Sequence, residues 1–121
     1  MALALLVSMS YVVAAGDFED GKAAFNLADY ATALKSFRKA AEADDINAQN
    51  WLAWMYYYGK GVPRNDKEAM RLYTKAAEAG HTIAQVSLGK IYELGRGVPR
   101  DATRAYKWYD IAAVKTTSKE T

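Results

Sequence analysis

Ala69, Leu72, Tyr73, Ala76 and Ala77 stand at i, i+3, i+4, i+7 and i+8. This spacing puts apolar side chains on one stripe of an α-helix. Asn65 precedes the stripe as a candidate N-cap, with Glu68 three residues on as a capping-box partner, and Gly80 follows it as a stop. The stretch Trp51-Leu52-Ala53-Trp54-Met55-Tyr56-Tyr57-Tyr58 is denser, with five rings in eight residues. At about 100° per residue, Ala48, Leu52, Met55, Tyr56 and Gly59 share one arc of a helical wheel, while Trp51, Trp54, Tyr57 and Tyr58 fall on the other side. One helix therefore carries all five rings. The first arc is predicted to be core, and the second to reach solvent in part.

The pattern recurs. Lys60-Gly61-Val62-Pro63-Arg64 returns 36 positions on as Arg96-Gly97-Val98-Pro99-Arg100. Ala48-Gln49, Leu52, Tyr56 and Gly59 return as Ala84-Gln85, Leu88, Tyr92 and Gly95. Ala40-Ala41, Ala76-Ala77 and Ala112-Ala113 form a threefold set, as do Phe37, Tyr73 and Tyr109. In the first unit Phe25 matches Tyr92, Ala28 matches Gly95 and Asp29 matches Asp101, with the five-residue glycine-proline box missing. A fixed interval of this length is the signature of a helical repeat, in which stacked hairpins bury a stripe that no hairpin buries alone. The expected units are 17–44, 45–80 and 81–115, each a pair of helices, followed by a polar tail at 116–121. Asp29 and Asp101 are candidate caps of second helices, and Thr82 with Gln85 a capping box before the first helix of the third unit. The box itself reads as a turn: its glycines permit a left-handed backbone and its proline ends the preceding helix. It lacks the Lys-Ser/Thr of a phosphate loop.

Together these residues resemble the Sel-one-like repeat, a relative of the tetratricopeptide repeat. The motif runs through Ala48-Gln49, Leu52, Tyr56, Gly59-x-Gly61-Val62-Pro63, Ala69, Tyr73 and Ala76-Ala77. The third unit adds Gly89 and Lys107-Trp108-Tyr109, whereas Ala28-Asp29-Tyr30 and Ala33-Leu34 make the first more tetratricopeptide-like. Ala53 departs from the pattern, which usually has glycine there. The resemblance implies an all-α, right-handed α/α superhelix, a solenoid of three helix hairpins whose first helices line a concave, partner-binding side.

The chain has 121 residues, a net charge of +2 and no cysteine. The weak charge gives no reason to expect nucleic acid. Without cysteine there is no disulfide, thiolate nucleophile or cysteine metal site. Charge is uneven: acids outnumber bases seven to four over 17–45, and bases outnumber acids twelve to six over 60–119. Residues 2–15 are uncharged and mostly apolar, and end in Val13-Ala14-Ala15 before Gly16. Residues 1–15 read as a signal peptide, cleaved before Gly16 and too short to span a bilayer, with an uncleaved anchor or a buried N-terminal helix as the alternatives. No Lys or Arg precedes the apolar run. The chain is therefore expected to be secreted or periplasmic, with no stable membrane span after cleavage.

No catalytic constellation emerges. His81 is the single histidine and follows Gly80 at a helix end, where it reads as a surface capping residue. No Ser–His pairing or zinc set can be assembled, and Asp44-Asp45 read as caps. Ser-x-x-Lys letters occur at Ser36 with Lys39 and at Ser87 with Lys90, but the companion motifs of a serine β-lactamase are absent. Neither enzyme activity nor a cofactor or metal is expected. The expected function is a protein–protein interaction module of the cell envelope, with Trp51, Trp54, Tyr57, Tyr58, Lys90, Arg64 and Arg100 as candidate partner-binding residues. Rings of this kind give much contact area at little entropic cost. The alternatives are a weak hydrolase, since some family members have been described as β-lactamase-like, or a structural subunit of an envelope assembly. Trp108 and Tyr109 lie in the last helix, which has no fourth unit to cover it, so a weak homodimer through that helix is a further expectation.

Overall fold

The computed structural model describes residues 16–120, with side chains to Val114. The expected signal peptide lies outside the described residues. Among the described residues six helices follow in order: α1 (Asp17–Asn26), α2 (Tyr30–Glu42), α3 (Ile46–Tyr58), α4 (Asp66–Glu78), α5 (Thr82–Leu94) and α6 (Ala102–Glu120). Each packs chiefly on its neighbours in sequence, so α1–α2, α3–α4 and α5–α6 are hairpins stacked in chain order. Residues 116–120, expected as part of a polar tail, instead continue α6.

The core runs through the stack at repeat-equivalent positions. Ala33, Ala69 and Ala105 are buried, as are Ala40, Ala76 and Ala112. These small residues let helices approach closely while Phe37, Tyr73, Leu52 and Leu88 fill the space between them. Ala53 is fully buried, so its methyl group is accommodated where the repeat pattern expects glycine. Gly89, one unit on, has no such room: a Cβ there would meet the Tyr109 ring at 2.5 Å.

Capping follows the sequence at most ends. The Asp29, Asp45, Asn65 and Asp101 side chains accept from backbone N–H groups of Thr32, Ala48, Glu68 and Arg104. The α5 start differs from expectation. The Thr82–Gln85 box does not form, because Gln85 turns inward and donates from Nε2 to the Ala77 carbonyl. His81 is the N-cap instead: its Nδ1 accepts from Ala84 N–H at 3.1 Å and its Nε2 lies 3.0 Å from Asn47 Oδ1.

The first unit closes its hairpin without the glycine box, at a cost. Ala28 has φ +60°, where the equivalent Gly59 has +66° and Gly95 has +72°. An alanine in this region is strained by about 1–2 kcal/mol, and roughly half of that is offset by its stiffer unfolded chain. Ala28→Gly is therefore expected to stabilise the protein by about 0.5 kcal/mol, raising the melting temperature by about 3 °C. A fall on thermal unfolding would contradict this.

Candidate functional site

Four rings of α3 lie on the arc opposite Leu52 and Met55, and the structure divides them. Trp51 is half-buried against the first hairpin: its ring stacks on Phe37 at 5.5 Å and meets the edge of Phe25 at 4.9 Å. It packs between hairpins, because α2 and α3 meet where it stands. Trp54 also touches Phe25, at 5.3 Å, but its other side meets Tyr58 at 4.8 Å. Tyr58 is the outermost ring, 54% exposed.

Trp54, Tyr57 and Tyr58 form one wall of a groove of about 310 Å³. Ser87, Lys90, Ile91 and Leu94 of α5 form the other, and Tyr73 of α4 completes the lining. The wall positions follow from the repeat: Ser87, Lys90 and Leu94 lie one interval beyond Trp51, Trp54 and Tyr58. Leu94 is 64% exposed. Burial pushes the Tyr73 hydroxyl well above the usual tyrosine range, with Ser87 beside it pulling the other way. It therefore stays neutral and can donate. The groove thus offers aromatic and aliphatic walls, hydroxyls, and one cation at Lys90. In ligand sites with such a lining, apolar walls supply affinity and a few polar groups set orientation. Among the described residues no cluster of three or more His or acidic side chains is placed to hold a metal.

The basic residues of the two boxes behave differently from one another. Arg64 forms a two-pronged contact with Asp66, at 3.1 and 2.9 Å. Arg100 donates from Nε to the Glu93 carbonyl at 3.2 Å. Neither candidate lines the groove. Arg96, not among the candidates, is the structural cation. Its guanidinium lies 3.7 Å from the Tyr57 ring centroid, bonds the Tyr57 carbonyl, and reaches Asp66 Oδ1 at 3.1 Å. It thereby latches the third unit's turn onto the second unit and fixes Tyr57 from beneath. The hydrogen bond from Arg64, helped by the charge of Arg96, holds the Asp66 carboxyl below the usual carboxylate range. Repeat register was the available signal for this latch. Lys60 and Arg96 are equivalent, Tyr30 and Asp66 are equivalent, and Lys60 lies 6.0 Å over the Tyr30 ring.

Known proteins match this architecture. A solved Sel1 repeat protein from Oxalobacter formigenes is 36% identical with a TM-score of 0.76, over 80% of this chain and 40% of its own. The structure of c5321, a protective antigen present in uropathogenic Escherichia coli strains and displaying an SLR fold, is 33% identical with a TM-score of 0.78, over 83% of this chain and 22% of its own. Helicobacter pylori cysteine rich protein B is 26% identical with a TM-score of 0.64, over 67% of this chain and 61% of its own. The chain thus spans less than half of the first two proteins and 61% of the third. No curated protein matches it. The Sel1 repeat profile matches residues 21–45, 46–81 and 82–113, covering all three helix hairpins, and the chain belongs to the Sel1 repeat family.

Proposed function

We propose that the protein is an interaction module of the cell envelope whose α3–α5 groove, on the concave side of the stack, holds a segment of a protein partner. Sel1 repeat proteins are generally protein–protein interaction modules, and among the described residues no helix is long and apolar enough to cross a membrane. The observation that carries the reading is the groove itself. Two neighbouring first helices leave Tyr58 and Leu94 largely exposed beside the half-buried Trp54, with Lys90 between them. Exposed rings and aliphatic groups around one cation fit a peptide that inserts a bulky apolar side chain and sets an acidic group by Lys90. Arg64 and Arg100 lie outside this contact and act on its approach, through the field of the basic turns. The periplasm or the exterior is the compartment consistent with the apolar, uncharged residues 2–15.

The test is a photocrosslinker at position 58 of the full chain in cells. A discrete adduct is expected, and Lys90→Glu with Leu94→Ser should reduce it at least about tenfold without shifting the melting temperature by more than about 2 °C. An adduct equally strong in the folded double variant would remove the groove as the binding site.

A further inference from the structure

α6 departs from the other second helices at positions that the repeat register makes comparable. Leu34 of α2 is 9% exposed and Met70 of α4 is half-buried, because the following hairpin covers each. Their equivalent Tyr106 is 67% exposed. The absence of a hairpin beyond α6 among the described residues accounts for that residue alone. It does not account for Ile111 and Val114. Their equivalents are Lys39 and Lys75 in one case, and Glu42 and Glu78 in the other. All four charged side chains are exposed even though a hairpin follows them. A further hairpin therefore leaves these positions in water, yet α6 presents exposed isoleucine and valine there. Among the three second helices, apolar side chains at these two positions are specific to α6.

The face is also self-complementary. Thr103, Tyr106, Lys107, Asp110, Ile111 and Val114 are all exposed and share an arc of about 140° on a helical wheel. We propose that α6 pairs antiparallel with α6 of a second copy of this chain. With the two-fold axis between Trp108 and Tyr109, Tyr106 meets Ile111, Thr103 meets Val114, and Lys107 meets Asp110, each contact made twice. The pairing closes on itself as an isologous dimer. It leaves the α3–α5 groove untouched, so the two interfaces stand or fall separately.

Sedimentation of the full chain is expected to show a monomer–dimer equilibrium with a Kd on the order of 10–100 μM, as befits a small interface. Lys107→Glu alone sets two acid–acid pairs across the axis and Asp110→Lys alone sets two base–base pairs. Each should weaken association at least about tenfold. Mixing the two variants restores opposite charges at both contacts, so the mixture should dimerise about as well as the wild type. A wild-type chain that stays monomeric through this range would overturn the proposal and leave α6 to a different partner. Association that ignores both single changes would overturn it in favour of contacts through the apolar residues 2–15. A mixture that fails to associate would overturn the antiparallel register.

Discussion

Trp51→Ala is expected to lower the melting temperature by about 12 °C or more, equivalent to about 3 kcal/mol. The indole is the piece of α3 that enters the first hairpin. Phe37, which it stacks on, is fully buried, and Phe25 meets it edge-on. Truncation therefore opens a void between the two rings: Phe37 keeps Phe18 and Phe25 keeps Tyr30 and Trp54 on other sides, and the small alanines nearby have no length with which to fill the indole's place. In a stack of repeats, stability is roughly a sum of unit terms and neighbour-contact terms. Loss of one contact falls on the first unit, which is already the shortest and carries the strained Ala28. Unfolding followed by circular dichroism should accordingly broaden as well as shift, because residues 17–44 begin to melt ahead of the rest. Tyr58→Ala is the control: that ring is mostly in water and should change stability by no more than about 0.5 kcal/mol. If the two variants proved equally stable, Trp51 would not be the wedge between hairpins.

The contrast between these two rings marks what the sequence could and could not disclose. A helical wheel separates Leu52 and Met55 from Trp51 and Tyr58, because periodicity along one helix decides which side faces its own partner. It cannot separate Trp51 from Tyr58, because their difference lies in what the first hairpin places opposite them. Phe25 and Phe37 reach Trp51 only once the superhelix sets the angle between units. The same limit applies to Arg96. Its repeat position was visible, but its stacking on Tyr57 and its bond to Asp66 depend on how one unit's turn lands on the unit before it. The start of α5 shows a different limit, although His81 caps it as its position at a helix end suggests. Thr82 and Gln85 have the letters of a capping box, yet an inward backbone carbonyl at Ala77 competes for Gln85, and tertiary demand overrides the local motif. The groove was legible by half. Trp54, Tyr57, Tyr58 and Lys90 were candidates, whereas Tyr73 read as core and Ser87, Ile91 and Leu94 were not singled out for binding.

Gly61→Ala is expected to destabilise the protein by about 2–4 kcal/mol, far more than the same change two residues earlier. Both glycines have left-handed backbone, φ +66° at Gly59 and +73° at Gly61. Strain of the backbone alone would make the two changes equal. Their surroundings are not equal. A Cβ on Gly59 would meet its nearest neighbour, the Arg64 nitrogen, at 3.2 Å, within its own turn. At the equivalent position the chain already carries alanine, Ala28, so Gly59→Ala should cost only about 1 kcal/mol. A Cβ on Gly61 would meet the Tyr30 carbonyl oxygen and carbon at 2.8 and 2.9 Å. That is backbone of the previous unit at the start of α2, which cannot turn aside as a side chain can. The methyl group would have to push the whole turn away from α2 and draw Lys60 off the Tyr30 ring. Gly97 stands in the same way against Asp66, whose Cβ, held rigidly by its backbone, would lie at 2.8 Å with the backbone carbonyl at 3.3 Å, and displacement there would also pull Arg96 out of its latch. Gly97→Ala should therefore match Gly61→Ala and loosen the lining of the groove at Tyr57 as well. Chemical denaturation of the three variants tests the account. Equal losses at 59, 61 and 97 would mean that these glycines serve the turn alone, and that the boxes do not seat one hairpin on the next.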